Sequence, residues 1–302
     1  MKKRLLSIVV LSSLAMTASA QGLYFRAGLG YAMPQAGQTI TGSAYELPYR
    51  GSLSNEITYD LKGASFSAGL KGYLGLGYMI SKNVGIQLDA HLGLSNSTLS
   101  FTANNVNLNY SNGTSILSNM TVEQRAVFPV NLVPSMVVTT ACSQWDVYCR
   151  MGVALPVHSR IEKERTISNA PGTGVLTQTR ETWEVRSSFS SGLAAAAGFQ
   201  YNISPSLSIW GEVSVLSMSL YIKEAQLTDF SYNGQSIPLG QLSGTMTYNY
   251  NKNTTFDTAN LSTQPAYSQP FSNVGFNVGI RTTLGSTRKR DIEEADNRRK
   301  HR

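Results

Sequence analysis

Eight segments of this chain alternate apolar residues with small polar ones, and in all eight the apolar face carries no charge. A period of two places successive side chains on opposite sides of a strand. The pattern predicts an all-β protein. Leu23 to Ala32 is the first strand, with Leu23, Phe25, Ala27, Leu29 and Tyr31 opposite Tyr24, Arg26, Gly28 and Gly30. The others are Ser65 to Ile80, Val84 to Ser95, Glu123 to Thr139, Val147 to His158, Phe189 to Ile203, Leu207 to about Tyr221, and Val274 to Leu284. Pro129 and Pro134 each remove a ladder donor from the fourth. In the seventh, alternation fades after Val215, which marks a bulge.

One hairpin is written twice. Gly75-Leu76-Gly77-Tyr78-Met79-Ile80-Ser81 leads through a short turn to Ile86 and Asp89, and Gly198-Phe199-Gln200-Tyr201-Asn202-Ile203-Ser204 leads likewise to Ile209 and Glu212. The copies align without a gap, and each places one acid on the polar face.

The connections after the first, third, fifth and seventh strands are long, and those after the second, fourth and sixth are short. Short periplasmic turns and long extracellular loops mark an up-and-down barrel in an outer membrane. Alternation alone leaves two placements, because a soluble ligand-binding barrel turns its apolar face inward. The polar face decides. It is mainly Gly, Ser, Ala and Asn, whereas a face in water should be rich in Lys and Glu. Charged residues are only 14% of the chain, against roughly 25% in soluble domains. Phe25, Tyr31, Phe66, Tyr78, Phe199 and Tyr201 fall toward strand ends on the apolar face, as an interfacial belt requires. The expectation is an eight-stranded antiparallel transmembrane β-barrel over residues 21–285 with four long extracellular loops.

The formal net charge of +7 comes mostly from the ends. Residues 21–285 hold fifteen basic and fourteen acidic side chains. A nucleic-acid partner therefore has no electrostatic basis. Lys2, Lys3 and Arg4, the apolar run Leu5 to Leu14 and Ala18-Ser19-Ala20 read as a signal peptide over 1–20. Residues 286–302 form a charged tail, expected in the periplasm.

Arg26, Lys71, Arg125, Arg150 and Arg281 are expected to point inward with Asp89 and Glu212. In a lumen nearly filled by side chains, such charges form a paired network more readily than they line an open channel, because a lone buried charge is costly. Asp89 and Glu212 are expected at one height, with Lys71 and Arg150 close to it and Arg26 and Arg281 lower. Three functions compete: a barrel with a structural or surface-interaction role and a largely plugged lumen, a small porin-like channel, and a membrane-embedded lipid enzyme. The enzyme has the least support. The chain has three histidines, His91, His158 and His301, and no serine lies in a nucleophile motif. A triad built at the rim around His158 is its one geometric route.

Cys142 and Cys149 are the only cysteines. A narrow turn before Val147 puts Cys149 out of reach, and a wider one lets a disulfide close it. Two Cys with no nearby His make a poor metal site, so no metal or cofactor is expected. In Ser159 to Arg186, arms rich in Arg and Glu flank the tip Pro171-Gly172-Thr173-Gly174 and should pair as a protruding hairpin.

Tyr201-x-x-Ser204-Pro205-x-x-Ser208-Ile209-x-x-Glu212 resembles the usual hairpin of the small outer-membrane β-barrel families of Gram-negative bacteria, similar to the OmpA-type barrel. Phe128-Pro129-Val130 and Gly275-Phe276-x-Val278-Gly279-Ile280-Arg281 resemble versions common in Bacteroidetes. Asp257-Thr258-Ala259 resembles the O-glycosylation motif of that group. The ending departs from the usual assembly signal, since no terminal Phe follows Leu284. The resemblance implies a monomer, with outer-membrane lipids and the assembly machinery as partners. An extracellular ligand would be held by the loops.

Overall fold

The computed structural model describes residues 22–35, 65–96, 98–109, 115–140, 142, 144–169, 177–204, 206–242, 244, 246–252 and 262–284. The expectations for the leader, the tip at Pro171–Gly174, the Asp257-Thr258-Ala259 motif and the tail lie outside them.

The strands are β1 (Leu23–Pro34), β2 (Gly69–Met79), β3 (Val84–Asn96), β4 (Leu99–Asn109), β5 (Ser115–Thr139), β6 (Trp145–Asn169), β7 (Gln178–Ser187), β8 (Gly192–Asn202), β9 (Leu207–Ser217), β10 (Ser219–Tyr232), β11 (Gln235–Ser236), β12 (Thr247–Asn251), β13 (Thr263–Pro265), β14 (Ser268–Pro270) and β15 (Asn273–Leu284). Eight of them, in the order β1-β2-β3-β5-β6-β8-β9-β15, form an antiparallel barrel. It closes where β15 pairs with β1, from Leu23↔Leu284 to Pro34↔Asn273. Closure leaves no barrel strand with an open edge, which a bilayer demands of any β-structure.

The repeated hairpin folds alike in both copies. Val84 O accepts bonds from Ile80 N (2.9 Å) and Ser81 N (3.0 Å), and Leu207 O accepts them from Ile203 N and Ser204 N (3.0 Å each). Ser81 Oγ and Ser204 Oγ each accept a bond from the residue that opens the next strand, at 3.1 Å. A serine three residues before the strand thus ties each turn to its own backbone.

Outward residues of the barrel band are apolar and exposed, Leu29, Met151 and Val278 among them. Below Phe128, no described outward side chain of a barrel strand is charged. Trp145 packs against Phe199 and Tyr201 at the short-turn end, with ring centroids 6.2 and 4.6 Å away. A band of exposed apolar side chains around a closed barrel excludes water as its solvent. The protein is a multi-pass β-barrel of the outer-membrane type.

Above the band the connections are themselves built of strands. β5 and β6 run 25 residues each and stay paired from Thr139↔Tyr148 to Ser118↔Asn169. β4 pairs with the upper part of β5, and β7, β10, β12 and β13 follow β6 in one continuous sheet. One face of this outer sheet holds an apolar core with Ile161, Trp183, Val185 and Leu227. Phe66, Phe271, Ala194 and Leu216 belong to the same cluster, so the core reaches down onto the mouth of the barrel. The expected hairpin is present as β6–β7, with ion pairs Arg160–Glu184 at 3.1 Å, Arg180–Glu164 at 2.6 Å, and Arg165–Glu181.

Four expectations are corrected. Arg125 faces outward and pairs with Glu162 at 2.9 Å. Phe128 adopts φ 42° beside a register shift between Val127 and Val130, and this bulge reverses the faces above it, burying Ala126 instead. Phe66 is not in the aromatic belt but fully buried. The strand starts only at Gly69, whose φ of 116° breaks the alternation, and Ser67 Oγ donates to Phe271 O at 2.7 Å, folding this turn over the mouth. The seventh strand keeps its phase past Val215 as far as Ile222, with the shift falling between Ile222 and Glu224. The long connections after the third and seventh predicted strands contain β4 and β10–β14 rather than loop alone.

Candidate functional site

The inward face of the barrel is polar and buried, and its side chains meet near the axis. Arg150 on β6 donates from Nη1 to Asp89 Oδ2 on β3 and from Nη2 to Glu212 Oε1 on β9, both at 2.6 Å. Arg26 on β1 donates to Glu212 Oε2 at 3.0 Å. The Tyr148 hydroxyl donates to the same oxygen at 2.8 Å, and Asn277 Nδ2 reaches Oε1 at 3.2 Å. Gln87 Nε2 lies 2.6 Å from both Asp89 oxygens. Both side chains of the Arg26–Glu212 and Arg150–Asp89 pairs are almost wholly buried.

The strands explain why these groups converge. β1, β3, β6 and β9 are every second strand around the barrel, so each inward side chain faces across the gap left by a smaller neighbour. Gly75 is one such gap, since a Cβ there would stand 2.4 Å from Asp89 Oδ1 and 2.7 Å from Arg26 Cγ. Gly28 is another, lying under the Trp210 ring, where a Cβ would stand 2.5 Å from Cζ2. Trp210 in turn stacks on Arg26, with the guanidinium carbon 3.9 Å from the ring centroid.

Two small chambers flank these charges. The outer one is lined by Lys71, Tyr73, His91, Asn131 and Ser214, under the apolar core. The inner one is lined by Tyr24, Gln87, Tyr148, Gln200 and Arg281. Of the seven charged residues expected in the lumen, Arg125 faces outward, and the structure joins Arg26, Asp89, Arg150 and Glu212 directly. Lys71 lies higher and Arg281 lower, and neither forms an ion pair with a described carboxylate. Arg281 instead stacks on Tyr24 at 3.7 Å and donates to Gln200 Oε1 at 2.9 Å. Arg26 stands higher in effect than its register implied, because its long side chain reaches up to Glu212. The tyrosines and amides that complete the shell, Tyr148, Asn277 and Gln87, were legible only as small or polar alternation.

Outside the lumen, His158 Nδ1 lies 3.0 Å from Phe128 O at the bulge. Cys142 sits in the turn before β6 and Cys149 faces outward on β6, both exposed thiols rather than a disulfide. The narrow-turn reading applies: Thr140 N already bonds Val147 O at 3.0 Å, so Cys142 lies beyond that level on one side and Cys149 two residues past it on the other. On the face of the outer sheet opposite its core, the hydrogen bond and charge of Glu164 raise the pKa of Arg180, and Glu184 does the same for Arg186.

A closed eight-stranded barrel with an apolar girdle and a charged interior defines a small outer-membrane barrel. No family model matches the chain, and no characterised protein sequence matches it. Solved structures similar to it include three outer-membrane proteins. OprG from Pseudomonas aeruginosa is 12% identical, with 88% of this chain and 97% of that one covered and a TM-score of 0.39. Ail, the attachment invasion locus protein of Yersinia pestis, is 10% identical, with 88% and 100% covered and a TM-score of 0.28. CarO2 of Acinetobacter baumannii is 11% identical, with 88% and 100% covered and a TM-score of 0.29.

Proposed function

We propose that this barrel is closed to solutes and acts through its outer sheet, in a structural or surface-interaction role. The observation that carries the reading is the buried Arg26–Glu212–Arg150–Asp89 network, which occupies the lumen at mid-height. The apolar core over the mouth supports it from the outer side. Eight strands leave an interior just wide enough for side chains, so these groups fill the path a solute would need. The sheet above the membrane has its own core, and its opposite face offers exposed Arg side chains paired with Glu to a ligand. Export by residues 1–20, a periplasmic tail at 286–302, a monomeric state and the Bacteroidetes-like, OmpA-type affinity belong to the same reading.

The test is single-channel recording of the purified protein in planar bilayers. The expected result is no stable conductance for the parent. Steady ohmic steps would establish the alternative, a small porin-like channel.

A further inference from the structure

Lys71, His91 and Asn131 form a cluster that the network does not use. Lys71 stands one inward position above Tyr73 on β2. Tyr73, His91 and Asn131 form one row across three strands, by the pairings Tyr73↔His91 and His91↔Asn131. Tyr73 packs edge-on against His91 with centroids 4.8 Å apart, which fixes the imidazole plane. All three cluster residues are at least nine-tenths buried, with 5%, 9% and 3% of their surface exposed. His91 Nε2 and Asn131 Oδ1 have no hydrogen-bond partner among the described residues. Lys71 likewise has no described carboxylate in reach. The three side chains line one chamber, which leaves about 10 Å³ for the centre of a water-sized particle. That is room for a single small occupant.

The charge of the lumen selects the occupant. Asp89 and Glu212 are already bonded by Arg26 and Arg150. A buried ammonium with neither water nor counterion is too costly to persist. We infer that Lys71, His91 and Asn131 bind one small inorganic anion of halide size, which supplies the counterion that Lys71 lacks. Lys71 supplies the charge, and the Nε2–H tautomer of His91 donates a second bond. The amide of Asn131 donates a third once its isosteric flip turns Nδ2 inward. Room for about one water-sized particle favours a halide over an oxyanion as large as sulfate. The inference rests on the closed lumen, because a hydrated channel would screen Lys71.

The experiment refolds the protein in detergent with sodium bromide, or with sodium sulfate at equal ionic strength. Crystals grown from bromide should give an anomalous peak within hydrogen-bond reach of Lys71 Nζ and His91 Nε2. The urea midpoint, corrected against a Lys71→Met variant in the same two salts, should be higher in bromide for the parent alone. A water or an empty chamber at that position overturns the inference, and so does an equal bromide response in Lys71→Met. If the variant does not fold, the anomalous map of the parent decides by itself. A silent bilayer with no bromide peak sinks this inference alone, whereas a conducting parent sinks the closed-lumen reading first.

Discussion

At the scale of single residues, Glu212 is the most connected group in the lumen. It accepts bonds from Arg26, Arg150, Tyr148 and Asn277, and its side chain has no exposed surface. Glu212→Ala leaves two buried guanidinium groups short of a counterion. Breaking a buried pair in this way costs about 3–5 kcal/mol, read as a lower urea midpoint by tryptophan fluorescence in detergent. Glu162→Ala is the control. Its partner Arg125 is 60% exposed, and surface pairs contribute about 0–1 kcal/mol, so its midpoint should stay with the parent. Gly75→Ala tests the same network by volume. The new methyl must displace Asp89 and Arg26 together, and overpacking of this kind costs about 1–3 kcal/mol. A midpoint unchanged by Gly75→Ala would mean that the two side chains do not cross β2 as described.

At the scale of elements, the outer sheet is held by its own core. Trp183 is buried on β7, packs against Tyr248 at 5.2 Å, and lies beside Ile161, Val185 and Leu227 in the same cluster. Trp183→Ala should cost the sheet about 3–5 kcal/mol and leave the barrel intact. The readout is trypsin cleavage at Arg180 or Arg186 in a protein whose heat-modifiable gel shift is unchanged. The barrel strands were legible because each has one face in lipid and one in a crowded lumen, so the period-two signal is strong. Asp89 and Glu212 were legible because the same hairpin occurs twice. The outer sheet was legible only as its β6–β7 hairpin, since its other strands are polar on one side and follow bulges at Phe128 and Lys223 that reverse the phase. One further local signal marked it: Asn233-Gly234, both with positive φ, forms the turn between β10 and β11. An Asn-Gly pair is a strong hairpin signal, and here it sat inside what read as one long connection. Which cations meet which carboxylates was not legible either, because it depends on the stagger of strands around the barrel.

At the scale of the whole molecule, the two ends of the barrel differ in kind. Short turns with serine ties lie at one end, and a sheet with its own core lies at the other. The proposed orientation places the sheet end at the outer surface, and it has a direct check. Gly234→Cys in a background lacking Cys149 should react with an impermeant maleimide on intact cells. Cys142, in the short turn between β5 and β6, should react only after the outer membrane is opened. The reverse pattern would invert the barrel.

The spread of the lumen charges over alternate strands also bears on how the chain enters its membrane. Asp89, Arg150 and Glu212 arrive on β3, β6 and β9, and Arg26 waits on β1 for a partner nearly the full length of the barrel away. Each half of the barrel holds one Arg and one acid of the network, but two of the three ion pairs, Arg26–Glu212 and Arg150–Asp89, join one half to the other. A strand-by-strand insertion would therefore carry ionised groups through hydrocarbon, each without the neighbour that neutralises it. Only when β15 zips against β1 does the ring of charges become whole. The seam between β1 and β15 is therefore what brings Arg26 to Glu212, and a chain that rolls up before it crosses the bilayer keeps these charges out of lipid.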